Sequence, residues 1–204
     1  MSDTNDSVWN VLESVTEYET GWYTGGYDLV EQPDGSTKQY YWAELAPAAV
    51  VVARVPAGTS WVGGDSCHTS TGAEVVFVEQ YRPAIGQTHL ELPAGIIEEG
   101  ESATEAGARE LREETGFEAD GVSLLQRMWV ATGAMRHERA IVFAEGLTPT
   151  EQELDDNEFL TVRPIPTEEA IERLLELLPR LATELQEVDA ASSEALAKFR
   201  AAGD

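Results

Sequence analysis

The stretch GIIEEGESATEAGARELREETGF, residues 95–117, decides how this chain is read. Seven of its 23 positions are glutamates. Like charges packed this densely repel unless a cation sits among them. The local pattern is helical. Ser102 can cap a helix, and Glu105 three residues on completes a capping box. The helix is expected from Ala103 to Thr115, with Gly116 as its left-handed C-terminal cap. Glu110, Glu113 and Glu114 are spaced i, i+3, i+4 and fall on one face. Thr104, Ala108, Leu111 and Thr115 fall together on another, small or apolar as packing on a sheet requires. Two readings of the three carboxylates stand. They form a solvated face in a very acidic protein, or they ligate a hard divalent cation, Mg²⁺ or Mn²⁺, through oxygen.

The totals bound the rest. A chain of 204 residues with 42% hydrophobic positions suits one domain with a full core and a small appendage. There are 38 acidic against 13 basic residues, a net charge of −25. Such a surface repels nucleic acid and anionic membrane, so neither is expected as a partner. The acids are spread along the whole chain and not gathered in a tail. Adaptation to molar salt, where screening removes self-repulsion, is the expectation that follows. No apolar run reaches 18 residues, so no transmembrane helix is expected. The opening MSDTNDSVWN lacks the basic and apolar regions of a secretory signal, and a cytoplasmic location is expected. On that view the Asn5 sequon is chance. The single Cys67 makes no intrachain disulfide.

Outward from the central stretch, residues 8–45 read as β-rich. A hairpin is expected around the turn signal PDG at 33–35, between YDLVEQ and KQYYWAEL. AAVVVARV (48–55) and AEVVFVEQYR (73–82) are short, Val-rich strands. Residues 56–72 between them read as a long polar turn. THLELPAG (88–95) is a short strand running into a Pro/Gly break. Strand-like segments follow at 122–130, 139–145 and 158–166. Thr167 can cap a further helix that Pro179 breaks, and a second acidic amphipathic helix follows. Strands, helix, strands and helix in this order argue for a mixed α/β sandwich.

Nine positions fit the pattern G-x5-E-x7-R-E-U-x-E-E-x-G-U, where U is bulky aliphatic or aromatic. They are Gly95, Glu101, Arg109, Glu110, Leu111, Glu113, Glu114, Gly116 and Phe117. This resembles the Nudix hydrolase signature. The resemblance implies an α/β (α+β) fold: a Nudix-type α/β/α sandwich with a mixed sheet, plus a small N-terminal antiparallel β segment and an extra C-terminal helix. It implies a metal-dependent hydrolase that cleaves a diphosphate, with two or more ions of Mg²⁺ or Mn²⁺ as cofactor and a small nucleoside diphosphate as substrate. By that resemblance Glu110, Glu113 and Glu114 are metal ligands, and Glu113 also belongs to the catalytic set. Ala94 supplies a backbone carbonyl to the metal. Arg109 orients a neighbouring glutamate through an ion pair. Gly95 and Glu101 are supporting positions.

The likeness runs beyond the box. VEQYRPAIGQTHLELPAGIIEEGES is similar to the ADP-ribose pyrophosphatase branch of the family, whose N-terminal sheet serves a domain-swapped homodimer. The implied division is 1–45 for dimerisation, 46–178 for catalysis and 179–204 for an acidic helix that the pattern does not cover. The implied reaction is ADP-ribose plus water giving AMP and ribose 5-phosphate. Other nucleoside diphosphate sugars are the alternative, and a ligand-sensing protein without catalysis is a more distant one.

In that branch Arg82 matches an arginine that reaches substrate phosphates or base, suited by its guanidinium fork. The other reading of Arg82 is a surface ion pair. Glu91 matches a glutamate near the nucleobase or ribose, or is a sheet-edge carboxylate. Tyr27, Tyr40, Trp22 and Trp42 either face the adenine or lie in a core or dimer interface. The loop ATGAMRHERAIVF (131–143) corresponds to one that binds substrate through Gly133 and carries a catalytic glutamate, here Glu138. Thr132 departs from the proline of that pattern, and His137 is a second candidate base. His89 reads as structural. Cys67 and His68 lack metal-ligand partners, and DDNEF (155–159) lacks the glycine and closing glutamate of a calcium loop.

Overall fold

The computed structural model describes residues 8–63, 66–155 and 158–171. In chain order the elements are β1 (Asn10–Glu19), β2 (Tyr23–Glu31), β3 (Thr37–Leu45), β4 (Ala48–Val55), β5 (Ser60–Gly63), β6 (Ser66–Thr69), β7 (Glu74–Arg82), β8 (Gln87–Glu91) and β9 (Ala94–Ile96). Then come α1 (Ala103–Thr115), β10 (Phe117–Trp129), β11 (Met135–Arg136), β12 (Glu138–Pro149) and β13 (Leu160–Pro166).

A seven-stranded mixed sheet forms the centre. Its order is β10-β12-β4-β7-β13, with β8 added to β7 and β9 to β4. The β4 strand is the hinge of this arrangement, parallel to β12 and antiparallel to β7 and β9. Its sequence AAVVVARV explains why. Alternate residues Ala49, Val51, Ala53 and Val55 are wholly buried on the face under α1, and Val50 and Val52 are half-buried on the other. A strand buried on both faces reads as a continuous apolar run. The core beneath α1 joins Val51, Ala53 and Val55 to Val76, Leu111, Phe117, Ala140 and Val142. Burying Leu111 and Phe117 contributes about 1.5–3 kcal/mol each.

The N-terminal sheet has the order β1-β2-β3-β11. The expected hairpin is present, Lys38 opposite Val30 across the turn at 33–35. The sheet is larger than the small antiparallel segment expected, because β11 joins β3 in parallel. Buried Asp28 explains the attachment. It accepts from Ser14 Oγ at 2.7 Å and Trp42 Nε1 at 3.0 Å, and it ion-pairs with Arg136 of β11. The Arg136 guanidinium lies 4.0 Å from the Trp42 ring centroid. The loop at 131–137 is thereby fastened to the N-terminal sheet, a link that local sequence does not carry.

Other boundaries shift. Residues 56–72 hold a hairpin, Ser60 opposite Thr69 and Trp61 opposite His68. Its Ser/Thr-rich strands look like turn. The strands expected at 122–130 and 139–145 extend through Phe117–Trp129 and Glu138–Pro149, because each continues the other's ladder past its own apolar run. Thr167 lies inside the helical residues 167–171, and its hydroxyl donates to the Ala73 carbonyl at 2.9 Å. The remainder of the helix expected after Thr167, and the one expected at 179–204, lie outside the described residues.

Candidate active site

The capping box fixes where α1 begins. Ser102 Oγ accepts from Glu105 N–H at 3.2 Å, and the Glu105 carboxylate accepts from Ser102 N–H at 2.9 Å. Gly116 ends the helix with φ of 68°, left-handed as expected. The faces differ from the sequence reading. Ala103, Ala106, Gly107, Glu110, Leu111, Glu114 and Thr115 are buried together, whereas Thr104 and Ala108 are half-exposed. Two of the three glutamates therefore point between helix and sheet, Glu110 at 9% exposure and Glu114 at 5%. A helical wheel places residues on faces but does not say which flank the sheet covers.

Gly95 makes room for this. A Cβ there would collide with the Glu110 carboxylate, so only a bare backbone allows that side chain to lie against β9. Arg109 organises the solvent side. Its Nε and Nη2 donate to the Glu101 oxygens, both at 3.0 Å. Its Nη1 donates to Glu110 at 2.7 Å and Glu113 at 3.1 Å, and Nη2 also reaches the Ile96 carbonyl at 2.9 Å. The guanidinium beside it holds the Glu101 carboxyl below its usual range.

Glu114 has no such cation. Its Oε2 accepts the Ala94 N–H at 3.0 Å. Burial pushes its carboxyl up to about 8; the Ala94 hydrogen bond opposes this, and the charges of Glu110 and Glu158 add to it. Burial also raises Glu110, against the pull of Arg109. Across the cleft, Arg82 is bidentate to Glu91, Nε to Oε1 at 3.0 Å and Nη2 to Oε2 at 2.7 Å. That pairing lowers the Glu91 carboxyl and raises the Arg82 guanidinium.

The structure brings Arg82, Ala94, Gly95, Arg109, Glu110, Glu113 and Glu114 to the walls of one cleft of about 600 Å³. Glu101 stands behind Arg109, and Glu91 lines an adjoining cavity that shares Arg82, Ala94 and Gly95. Residues not expected at the site also line the cleft, among them Glu98, Glu153, Asp155 and Glu158. Glu158 is the consequential one, since its charge acts on Glu110 and Glu114. The acid run DDNEF was the available signal, but weighing it as a calcium loop concealed a single carboxylate delivered from another part of the fold.

Other expected residues lie apart from the cleft. Glu138 ion-pairs with Arg127 across the β10–β12 ladder. His137 is buried at 6% exposure, one nitrogen 2.9 Å from the Ala46 carbonyl oxygen and the other accepting from Arg139 Nε at 3.3 Å. Gly133 offers its carbonyl to Tyr40 Oη at 3.0 Å. Trp42 is engaged with Asp28, and Tyr27 packs on Tyr41. Of the four aromatics, only Trp22, 76% exposed, lines the cleft.

The donor set fits a hard divalent cation: oxygen donors only, with two of the carboxylates buried and one of them, Glu114, raised to about 8 by that burial. Among the described residues no three side chains already converge as a ligand cage; Arg109 occupies part of that role. On the reading that Glu114 is a metal ligand it sheds its proton on binding, so affinity for Mn²⁺ should rise up to about tenfold per pH unit below pH 8 and level off above it. Titration calorimetry in two buffers of different ionisation enthalpy would read the released proton. A pH-independent affinity would remove Glu114 from the ligand set.

A NUDIX domain model matches residues 67–188, more than half of the chain. The chain belongs to the NUDIX domain family. It is 32% identical over 100 residues to an ADP-ribose pyrophosphatase of Bacillus subtilis, covering 48% of this chain and 54% of that protein. The match thus spans about half the length of that relative. It is 29% identical over 153 residues to a methanol dehydrogenase activator of Bacillus methanolicus, covering 73% and 74%. The crystal structure of an ADP compounds hydrolase superposes with a TM-score of 0.66 at 23% identity, covering 81% of this chain and 82% of that one, a likeness of fold. The mixed α+β architecture is that of the family. Among the described residues, no helix is long and apolar enough to cross a membrane.

Proposed function

We propose that this chain is a metal-dependent diphosphatase that hydrolyses nucleoside diphosphate sugars, with ADP-ribose giving AMP and ribose 5-phosphate as the preferred reaction. The observation that carries the reading is Glu114, a buried carboxylate beside Glu110 and within the field of Glu158, opposite Arg82. Carboxylates so placed are stabilised by cations and serve little purpose in a fold without them. The choice of ADP-ribose leans on the similarity to the Bacillus subtilis protein and on the Q-Y-R-P and E-L-P-A-G runs.

Glu110, Glu113, Glu114 and the Ala94 carbonyl would hold two or more ions of Mg²⁺ or Mn²⁺. When bound, these neutralise the diphosphate oxygens and polarise phosphorus. Arg82 binds a phosphate oxygen, with Glu91 holding its fork in line. Arg109 keeps Glu110 and Glu113 in place from the helix side, a task that Glu101 supports. The attacking water forms the new P–O bond as the bridging P–O bond breaks, and its proton passes to a Glu158 carboxylate oxygen. Glu158 takes this part in place of Glu138 and His137, whose polar atoms are engaged elsewhere.

The working form in this reading is a cytoplasmic homodimer built through residues 1–45, where Val11, Leu12, Tyr18 and Tyr41 are exposed. Trp22 at the cleft is the aromatic best placed to meet a base.

Products decide the substrate. Purified protein in molar KCl with Mg²⁺ should convert ADP-ribose selectively to AMP and ribose 5-phosphate, followed by chromatography with mass detection beside GDP-mannose, UDP-glucose, NADH and dATP. Equal cleavage of several would retain the diphosphatase and discard the ADP-ribose preference; cleavage of none would overturn the reading. Activity should vanish with chelator and return with Mg²⁺ or Mn²⁺. With a net charge of −25, the protein should also lose structure as KCl falls toward low millimolar, followed by circular dichroism. Full stability there would refute adaptation to salt.

A further inference from the structure

The cavity that adjoins the cleft holds a cation with no task in the scheme above. It measures about 640 Å³ and is walled by Ala48, Arg82, His89, Glu91, Ile96 and Arg139. Its one carboxylate is already taken, since Glu91 is held by the fork of Arg82. Arg139, the second residue of β12, is different. Its Nε donates to His137 Nε2 at 3.3 Å, and among the described residues its two terminal nitrogens have no hydrogen-bond partner. A paired acid and an unpaired guanidinium leave this wall cationic, in a chain of net charge −25.

The histidine determines how that guanidinium stands. His137 is buried, and its Nδ1 lies 2.9 Å from the Ala46 carbonyl oxygen. A carbonyl only accepts, so Nδ1 carries the proton and Nε2 offers the lone pair that Arg139 meets. One donor of the fork is thus spent on orientation, and the remaining four N–H groups are presented to the cavity. Register places the residue usefully. Arg139 lies opposite Ala48, and Ala48 opposite Ile96. Two interstrand spacings, about 10 Å, separate it from the β9 backbone that cradles Glu110. The Arg139, Ala48 and Ile96 side chains share the face of the sheet away from α1, where they wall the cavity.

We propose that Arg139 is a substrate-recognition residue, its terminal nitrogens binding oxygens of the phosphoryl group farther from the box glutamates, and that His137 is its positioning residue. This rests on the diphosphatase reading of the cleft. It gives the substrate's second phosphate a cation of the protein's own where the carboxylate cluster supplies none. A planar fork matches two phosphate oxygens at once, which an ammonium does not.

The test uses inorganic pyrophosphate with Mg²⁺ as a probe of binding, by calorimetry on the full chain in molar KCl, beside steady-state kinetics on ADP-ribose. Arg139→Gln should weaken pyrophosphate about tenfold or more and raise KM by a similar factor, with kcat within about threefold. Arg139→Lys should recover little. His137→Asn keeps a donor for Ala46 and removes the acceptor for Arg139. It should raise KM alone and add nothing in the double variant. Arg139 is exposed, so Arg139→Gln should melt like the parent chain. Equal pyrophosphate affinity in wild type and Arg139→Gln, or no pyrophosphate binding by wild type, would overturn the role of Arg139. A normal KM in His137→Asn would overturn the role of His137. Failure of the wild type to cleave any diphosphate sugar would fall on the function and not on Arg139, which the pyrophosphate comparison decides by itself.

Discussion

Glu114→Gln should lower kcat by about three orders of magnitude, the scale expected when a charge-stabilising group is lost from a site of this kind, while making the metal-free protein more stable at pH 8. The two effects share one cause. The amide keeps an oxygen for the Ala94 N–H but carries no charge for a cation. In the metal-free protein the ionised carboxylate is a burden, because burial raises it from an ordinary 4.5 to about 8. A carboxyl whose folded pKa is raised holds its proton longer in the folded state than in the unfolded one. Its contribution is complete below about pH 4.5 and is lost as pH rises toward 8. Wild-type thermal stability in chelator should therefore fall across that window, and Glu114→Gln should fall less. Melting curves at pH 5 and pH 8, beside steady-state kinetics with Mg²⁺, read both. Turnover near the wild-type level would sink the metal-site reading.

The second large effect separates two glutamates. Glu158→Gln should reduce kcat by about two to four orders of magnitude, the range for a lost general base. Glu138→Gln should change it by less than about fivefold. Glu158 lines the cleft and its charge reaches both Glu110 and Glu114. Glu138 is neutralised by Arg127 on an exposed stretch of ladder. An exposed pair of that kind is worth about 0–1 kcal/mol, so its loss should scarcely disturb the fold. The opposite ranking of the two variants would return the catalytic role to the loop after β10.

How far the sequence could be read is best seen in α1. Its ends were legible because the capping box and the C-terminal glycine are contacts within a few residues. The nine-position pattern and the family to which the chain belongs were legible for the same reason, being fixed spacings along one segment. What was misread is the helix's orientation. Glu110 and Glu114 share the buried face with Ala103 and Ala106, an arrangement possible because Gly95 leaves space on a neighbouring strand. The Ser60–Thr69 hairpin was missed because alternating serines and threonines look like turn until a partner strand claims them.

The sequence by itself determined the helix and its caps, the apolar β4 and β7 strands, the hairpin at 33–35 and the acidic character of the site. Each is a property of neighbours in the chain, where propensity, period and capping act over a few residues. Only the tertiary structure decided which carboxylates are buried, that Glu158 joins them from across the fold, and that β11 is fastened to the N-terminal sheet by Arg136 and Asp28. It also placed His137 between the Ala46 carbonyl and Arg139 Nε. These depend on contacts between residues tens of positions apart, for which a single sequence holds no period to read.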